Sequence, residues 1–198
     1  MRRAALAAMC IYLIGVKHEY QYEDYSSGSI EFHSFLRRLA NDKCVDLIAE
    51  ELSEEAISLR REAVGSVAIN VASELRIRHK LCDPDSSQRQ QLGIKSRDEI
   101  ALELPLGRAG TSDLSNLGRE VEAVERKDWP KREAYWLDRI LQEDFERCIF
   151  ILGAEHVETF CRSLDREQVE YEIVVKHWQP SHNPESNACA FRSSVLES

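Results

Sequence analysis

The segment CIFILGAEHVETF, Cys148–Phe160, repeats a pattern found near the other end of the chain. There, Cys10–His18 reads CIYLIGVKH, and in both segments a short apolar run is followed by a glycine, two further residues and a histidine. A wholly apolar run that ends at a glycine is typical of a strand buried on both faces, as in a parallel sheet. The repeat therefore predicts two such strands, each followed by a Gly-x-x-His turn. A second interpretation is that the repeat only echoes the fold, because apolar strands followed by glycine are common in α/β proteins.

Strands and helices alternate along the rest of the chain. The predicted strands are 11–14, 44–49, 75–81, 149–152 and 171–175, and the predicted helices are 30–40, 53 to about 75, 128 onward and 157–164. Ser53 followed by two glutamates marks one of these helix starts, since it supplies a cap and early acids. Alternation of this kind implies parallel strand pairing with helices on both faces. The expected fold class is α/β, with a mainly parallel central sheet in a single compact domain.

The length of 198 residues suits one domain with a substantial core. We expect that domain to span residues 1–178. Gly93–Gly118 holds four of the eight glycines and is expected to be a loop-rich insertion or flap. The last segment, 179–198, lacks hydrophobic periodicity and is expected to be a flexible tail.

The composition argues against several classes of protein. A net charge of −9 and the lack of a basic stripe argue against nucleic-acid binding. No CxxC pair occurs among the six cysteines, and several of them lie in apolar runs, which favours a reducing, cytoplasmic location.

The first residues, MRRAALAAMCIYLIGV, resemble the start of a signal peptide. Cleavage there would remove a predicted strand, and the run 4–16 is shorter than the roughly 20 residues of a membrane span. We therefore predict no membrane association. Another interpretation is that Met9 is the functional start and that residues 1–8 are an extension.

Two histidines follow the repeated strands at equivalent positions. The carboxyl ends of parallel strands meet at one edge of a sheet, so His18 and His156 are expected at the same edge. Gly15 and Gly153 allow a sharp turn or a close approach to a ligand. A histidine in the first turn of a helix feels the positive end of the dipole, which favours the neutral ring required of a metal ligand or a general base.

Carboxylates are expected at the same edge. Glu50 and Glu51 follow the second predicted strand, and Asp83 follows the third. Two histidines with one or more carboxylates are a suitable donor set for zinc, manganese or iron, so His18, His156, Glu51 and Glu50 are candidate metal ligands. Strand parity alone does not decide which glutamate faces the site. Each acid also has a structural interpretation, as charge at a helix start or, for Asp83 before Pro84, as a turn former.

Arg132 lies in the predicted helix before the second repeat, in the sequence KREAYW. An arginine at this place can hold a carboxylate or phosphate oxygen, or stabilise a developing oxyanion. The alternative is an ordinary salt-bridged helix face.

Three features of the sequence carry a family resemblance: the two Gly-x-x-His motifs, the strand-end sequence DLIAEEL of Asp46–Leu52, and the Arg132-Glu133 helix. Together they resemble the Tiki/TraB superfamily, which includes erythromycin-esterase-like and haem-uptake branches. The resemblance extends over about Ile11–Val175. It implies an α/β fold in which the two motif histidines and a strand-end glutamate build the active centre. The pattern of that family places the glutamate at Glu51, and Arg132 matches its arginine.

The resemblance also implies a chemistry. Tiki-type members are metal-dependent peptidases, whereas erythromycin esterases use a histidine as general base on water without a metal. We therefore predict a hydrolase of small-molecule or peptide substrates, with ester or peptide bonds cleaved by His18, His156, Glu51 and Arg132, with or without a divalent metal. The alternative function is a non-catalytic protein that binds a metal, haem or small ligand.

Overall fold

The computed structural model describes residues 9–61, 63–104 and 114–181, with side chains of the last segment described from residue 117 onward. This part of the chain forms a five-stranded, all-parallel sheet flanked by helices in a single compact domain, which confirms the predicted α/β class. The strands are β1 (Cys10–Val16), β2 (Leu47–Glu50), β3 (Arg78–Leu81), β4 (Arg147–Gly153) and β5 (Glu170–Trp178). The helices are α1 (Ser27–Asp42), α2 (Glu54–Leu59), α3 (Val67–Leu75), α4 (Ser86–Leu92), α5 (Arg97–Glu103), α6 (Leu114–Glu125), α7 (Trp129–Leu141) and α8 (Val157–Glu167).

The strand order is β3-β2-β4-β1-β5, so the two repeated segments, β1 and β4, are neighbours in the middle of the sheet. Their pairing is one residue out of step with the sequence repeat, because Cys10 pairs with Arg147 and Ile11 with Cys148. Equivalent residues of the two copies therefore lie on opposite faces of the sheet.

The core has one apolar layer on each face of the sheet. On one face, α7 and α8 cover side chains such as Leu47, Ala49 and Phe150. On the other, α1 and α3 cover side chains such as Ile48 and Ile151. The inner strands β1, β2 and β4 are buried on both faces over most of their length, which explains why they read as continuous apolar runs rather than as alternating ones.

The helix predicted from Ser53 to about Leu75 is instead two helices, α2 and α3. The segment between them is pinned to the loop after β1, since Glu23 and the residues Val64 and Gly65 exchange backbone hydrogen bonds. Ser66 then caps α3 by accepting from two backbone N–H groups of its first turn.

Two segments that were expected to be irregular are described only in part. Within 93–118, which was expected to be loop-rich, α5 forms with a capping box between Ser96 and Glu99, and α6 begins at Leu114. Residues 105–113, the remainder of that expected flap, lie outside the described residues. Of the expected tail only 179–181 is described, and the predictions for 1–8 likewise fall outside the described residues. None of the described helices is long and apolar enough to cross a membrane.

Candidate active site

The carboxyl ends of four strands meet at one edge of the sheet, where the predicted polar residues lie. His18 opens a short 3-10 turn after β1, and His156 closes a similar turn after β4. Glu51 directly follows β2, and Asp83 follows β3. Because the strands are all parallel, these side chains come together from distant parts of the sequence.

Glu51 lies at the centre of this group. Its side chain is completely buried, and one carboxylate oxygen, Oε1, lies 3.8 Å from Nε2 of His18 and 3.8 Å from Nε2 of His156. The other oxygen, Oε2, accepts a hydrogen bond of 2.7 Å from the backbone N–H of Gly153. A Cβ at Gly153 would lie 3.1 Å from Nε2 of His18 and 3.3 Å from Oε2 of Glu51, so the bare backbone allows both groups to approach.

Arg132 of α7 holds the Glu51 carboxylate in place. Its Nη2 donates to Oε1 of Glu51 at 3.0 Å and to Oδ1 of Asp83 at 2.8 Å, and its Nε also donates to Asp83. Asp83 further accepts from the indole of Trp136 and from Arg89. Burial alone would raise the pKa of Asp83, but the two guanidinium groups outweigh burial and hold that pKa below its ordinary value. Burial alone would lower the pKa of Arg132, but Glu51 and Asp83 together raise it. The pair therefore stays ionised over the ordinary pH range.

His156 is held mainly by side chains of α7. Its side chain is only 7% exposed, and its Nδ1 lies 2.9 Å from Oε1 of Glu133. The hydroxyl of Thr159 donates to the same Glu133 oxygen at 2.5 Å. The rings of Trp129 and Trp136 pack against the imidazole, with centroids at 4.1 and 4.9 Å. A carboxylate at Nδ1 places the proton of a neutral ring on that nitrogen, which leaves Nε2 with a free lone pair directed towards Glu51.

His18 has a different environment, because 49% of its side chain is exposed. Its Nδ1 lies 3.3 Å from the amide nitrogen of Gln21, a fully buried residue. In this orientation the amide donates to Nδ1, so the proton of the neutral ring is on Nε2. The two histidines therefore direct Nε2 atoms of opposite hydrogen-bonding character towards the same carboxylate oxygen.

Glu50 does not join the two histidines. Its side chain turns to the opposite face of the sheet, where Oε1 accepts from Ser66 at 2.5 Å and lies 2.8 Å from Nε2 of His79. Strand alternation continues past the end of β2, so Glu51 faces α7 while Glu50 faces α3. The prediction of Glu50 as a ligand in the same metal site is therefore wrong on geometry.

The hydrogen bonds of Glu51 bear on whether this site can hold a divalent ion. Both oxygens of Glu51 are already engaged, one by the Arg132 guanidinium and the other by the Gly153 N–H. A cation placed at Oε1 would lie beside the positive charge of Arg132, which opposes it. In the described part of the chain, no group of three or more His, Cys, Asp or Glu side chains has an arrangement suited to a metal ion.

Three residues that shape the site are absent from the predicted catalytic and metal-binding sets: Glu133, Gln21 and Trp129. A signal for two of them was present, since Trp129, Glu133 and Trp136 have the i, i+4, i+7 spacing of one helix face. The spacing shows a shared face but not that this face meets a histidine. Gln21 offers no sequence signal beyond its closeness to His18.

Comparisons of the chain with protein-family models, with curated proteins and with solved structures found no match.

Proposed function

We propose that this protein is a hydrolase that cleaves an ester or peptide bond with a pair of histidines, without a bound metal. The observation that carries this proposal is the approach of both imidazoles, through Nε2, to one buried carboxylate oxygen of Glu51. Two titratable rings with distinct partners beside a fixed charge are a common arrangement for general acid and base catalysis.

His156 is the general base in this proposal. Glu133 keeps the ring proton on Nδ1, so Nε2 of His156 can take a proton from a water molecule. The hydroxide so formed attacks the carbonyl carbon of the substrate and produces a tetrahedral intermediate. The tryptophans that pack against the ring limit its rotation and exclude other waters from it.

His18 is a hydrogen-bond donor to the substrate. Because Gln21 donates to its Nδ1, the Nε2–H group can donate to the oxygen of the tetrahedral intermediate, and the proton that His156 took from water passes to the leaving oxygen or nitrogen when the intermediate collapses. The half-exposed position of His18 suits this role, since a group on the solvent side can reach a bound substrate.

Glu51 and Arg132 supply the charge of the site. The Glu51 carboxylate stabilises the imidazolium that forms when His156 takes the proton. Arg132 holds Glu51 in place through Nη2, and of its guanidinium the Nη1 group has no hydrogen bond to a described residue. Nη1 is therefore the group that can donate to the oxyanion, so the oxyanion role predicted for Arg132 is retained in this proposal.

The test is a hydrolysis assay on purified protein with p-nitrophenyl esters and peptide p-nitroanilides. We expect turnover that survives a chelator and that is lost in both His18→Ala and His156→Ala. His177→Ala is the matched control, because His177 is an exposed histidine on the edge strand β5 and takes no part in the described contacts of His18, Glu51 and His156. Turnover that survives His156→Ala contradicts the assignment.

Metal dependence is tested in the same assay. Activity that a chelator abolishes and that zinc, manganese or iron restores would contradict the metal-free mechanism and support the metal alternative. A metal, haem or small molecule that is retained through purification, with no turnover on either panel, would support the non-catalytic binding function instead.

A further inference from the structure

A cavity of about 430 Å³ opens between α1 and α3, on the opposite face of the sheet from His156. Its walls come from the loop after β1 and from the facing sides of the two helices. The lining residues are Glu23, Tyr25, Ile30, His33, Ser34, Asn70, Ser73 and Glu74. The His18–Glu51–His156 centre does not contribute to this lining, so the cavity is a separate candidate site.

Glu23 is the unusual residue of this cavity. It is only 7% exposed, and its backbone is fixed by hydrogen bonds to Val64 and Gly65. Its carboxylate accepts from the amide of Asn70 at 3.3 Å, and among the residues that the structure describes it has no ion-pair partner.

Each of the other buried carboxylates has a basic side chain as a partner. Glu51 and Asp83 pair with Arg132, Glu50 lies against His79, and Glu133 lies against His156. A buried carboxylate that lacks a cation bears a desolvation cost that one long amide hydrogen bond offsets only in part. Glu23 therefore differs from these four carboxylates in lacking a basic side chain as a partner among the described residues, and it lines an open cavity.

The rest of the lining indicates what would complete the site. Glu74 adds a second carboxylate, which His33 contacts at 3.0 Å and Arg37 at 3.7 Å. Tyr25 and Ile30 contribute large apolar surfaces that are 71% and 54% exposed. An acidic wall beside exposed aromatic and aliphatic surface suits a cation attached to an apolar group.

We propose that this cavity binds an organic cation, with its ammonium or guanidinium group on Glu23 and its apolar part against Tyr25 and Ile30. The bound cation donates a charge-assisted hydrogen bond to the Glu23 carboxylate and so supplies the partner that the fold does not. This binding does not depend on the hydrolase activity, and its test is separate.

The experiment is a titration of the full chain with phenethylamine and its guanidine analogue, followed by calorimetry and by amide chemical shifts. We expect saturable binding of both cations, with the largest shifts at Asn70 and Ser73. N-acetylphenethylamine keeps the apolar group but removes the charge, and we expect it not to bind. Failure of both cations to bind saturably, or equal binding of the acetylated compound, would overturn the proposal.

Three variants test whether the cation binds at Glu23. Glu23→Gln removes the charge and should weaken binding by about tenfold or more, the effect of one charge-assisted hydrogen bond. Glu19→Gln removes an equal charge from the same loop but does not line the cavity, so its effect should stay below about twofold. Tyr25→Ala changes an exposed side chain, which leaves the fold intact, and should weaken binding about threefold. Equal losses in Glu23→Gln and Glu19→Gln would show attraction by the net charge alone and would overturn the site.

Discussion

His18 and His156 end two copies of one short sequence pattern, yet half of the His18 side chain is exposed whereas that of His156 is almost fully buried. His18 is held by the amide of Gln21, and His156 by the carboxylate of Glu133. The comparison teaches that equivalent positions in a repeat acquire their chemistry from the partners that the fold brings to them.

The glycines of the two copies differ as well. Gly15 pairs with Leu152, not with Gly153, so the two glycines face opposite sides of the sheet. A Cβ on Gly15 would overlap the backbone carbonyl of Lys176, at a place where the pairing of β1 with β5 shifts register. A Cβ on Gly153 would instead press on His18 and Glu51. The first glycine therefore serves strand packing, and the second serves the site.

The largest difference between the two histidines should appear when each is replaced by glutamine. We expect His156→Gln to lower kcat/KM by about 10³-fold, as for loss of a general base, and His18→Gln to lower it by about 10- to 100-fold. The measurement is steady-state kinetics on the best ester of the panel, with a melting curve for each variant. Equal losses would show that the two copies act alike.

Asp83, Arg132 and Glu51 form a buried ionic network beside His156. Loss of one of these charges should lower the free energy of unfolding. Asp83→Asn leaves Arg132 with a weaker buried partner and should lower the free energy of unfolding by about 3 kcal/mol at neutral pH. Because the pKa of Asp83 is depressed in the folded state, this contribution is complete above the ordinary aspartate pKa of about 4 and is lost as the pH falls through the folded value.

The measurement is urea denaturation of the wild type and of Asp83→Asn at neutral pH and in acid. The difference between them should shrink only in strong acid. Asp138→Asn, an exposed change on α7, is the control and should stay within about 0.5 kcal/mol. A difference that is the same at every pH would contradict the ionic contribution.

The glycines offer a paired experiment. Gly15→Ala should destabilise the fold by about 2 kcal/mol, because the added methyl meets backbone that has no room to move. Gly153→Ala should cost less than about 1 kcal/mol, since its neighbours are side chains, but it should lower kcat/KM. Denaturation and kinetics on both variants give the result, and the reverse pattern would contradict the assigned roles.

The smallest effect concerns the proton on each ring. Glu133→Gln keeps a hydrogen-bonding oxygen but removes the charge, so kcat/KM should fall about tenfold. Nitrogen NMR of the wild type should show the proton on Nδ1 in His156 and on Nε2 in His18. Glu158→Gln on the exposed side of α8 is the control. The same tautomer on both rings would contradict the different roles assigned to the two histidines.

The meeting of His18, His156 and Glu51 could be predicted from sequence because it requires little more than parallel strands. Alternating strands and helices imply parallel pairing, and parallel strands present their carboxyl ends at one edge. The catalytic roles of these residues stay predictions.

The sheet face towards which the Glu50 side chain turns could not be predicted. The residues of β2 before it are apolar on both faces, so no hydrophobic asymmetry marks either face. The pairing register of β1 and β4 could not be predicted for a similar reason. If β4 moves by one residue relative to β1, apolar side chains still lie on both faces of the sheet. The break between α2 and α3 depends on backbone bonds to Glu23, which is remote in sequence, and local propensity does not report such bonds.

The central place of β4 has a consequence for synthesis of the protein. On the ribosome, β1 and β2 emerge early but must wait for β4, since it lies between them in the sheet. Contacts that join such distant segments form slowly, and unpaired strand edges stay exposed until they do. Glu51 can meet both histidines only after translation has passed His156, the last of the three residues in the chain.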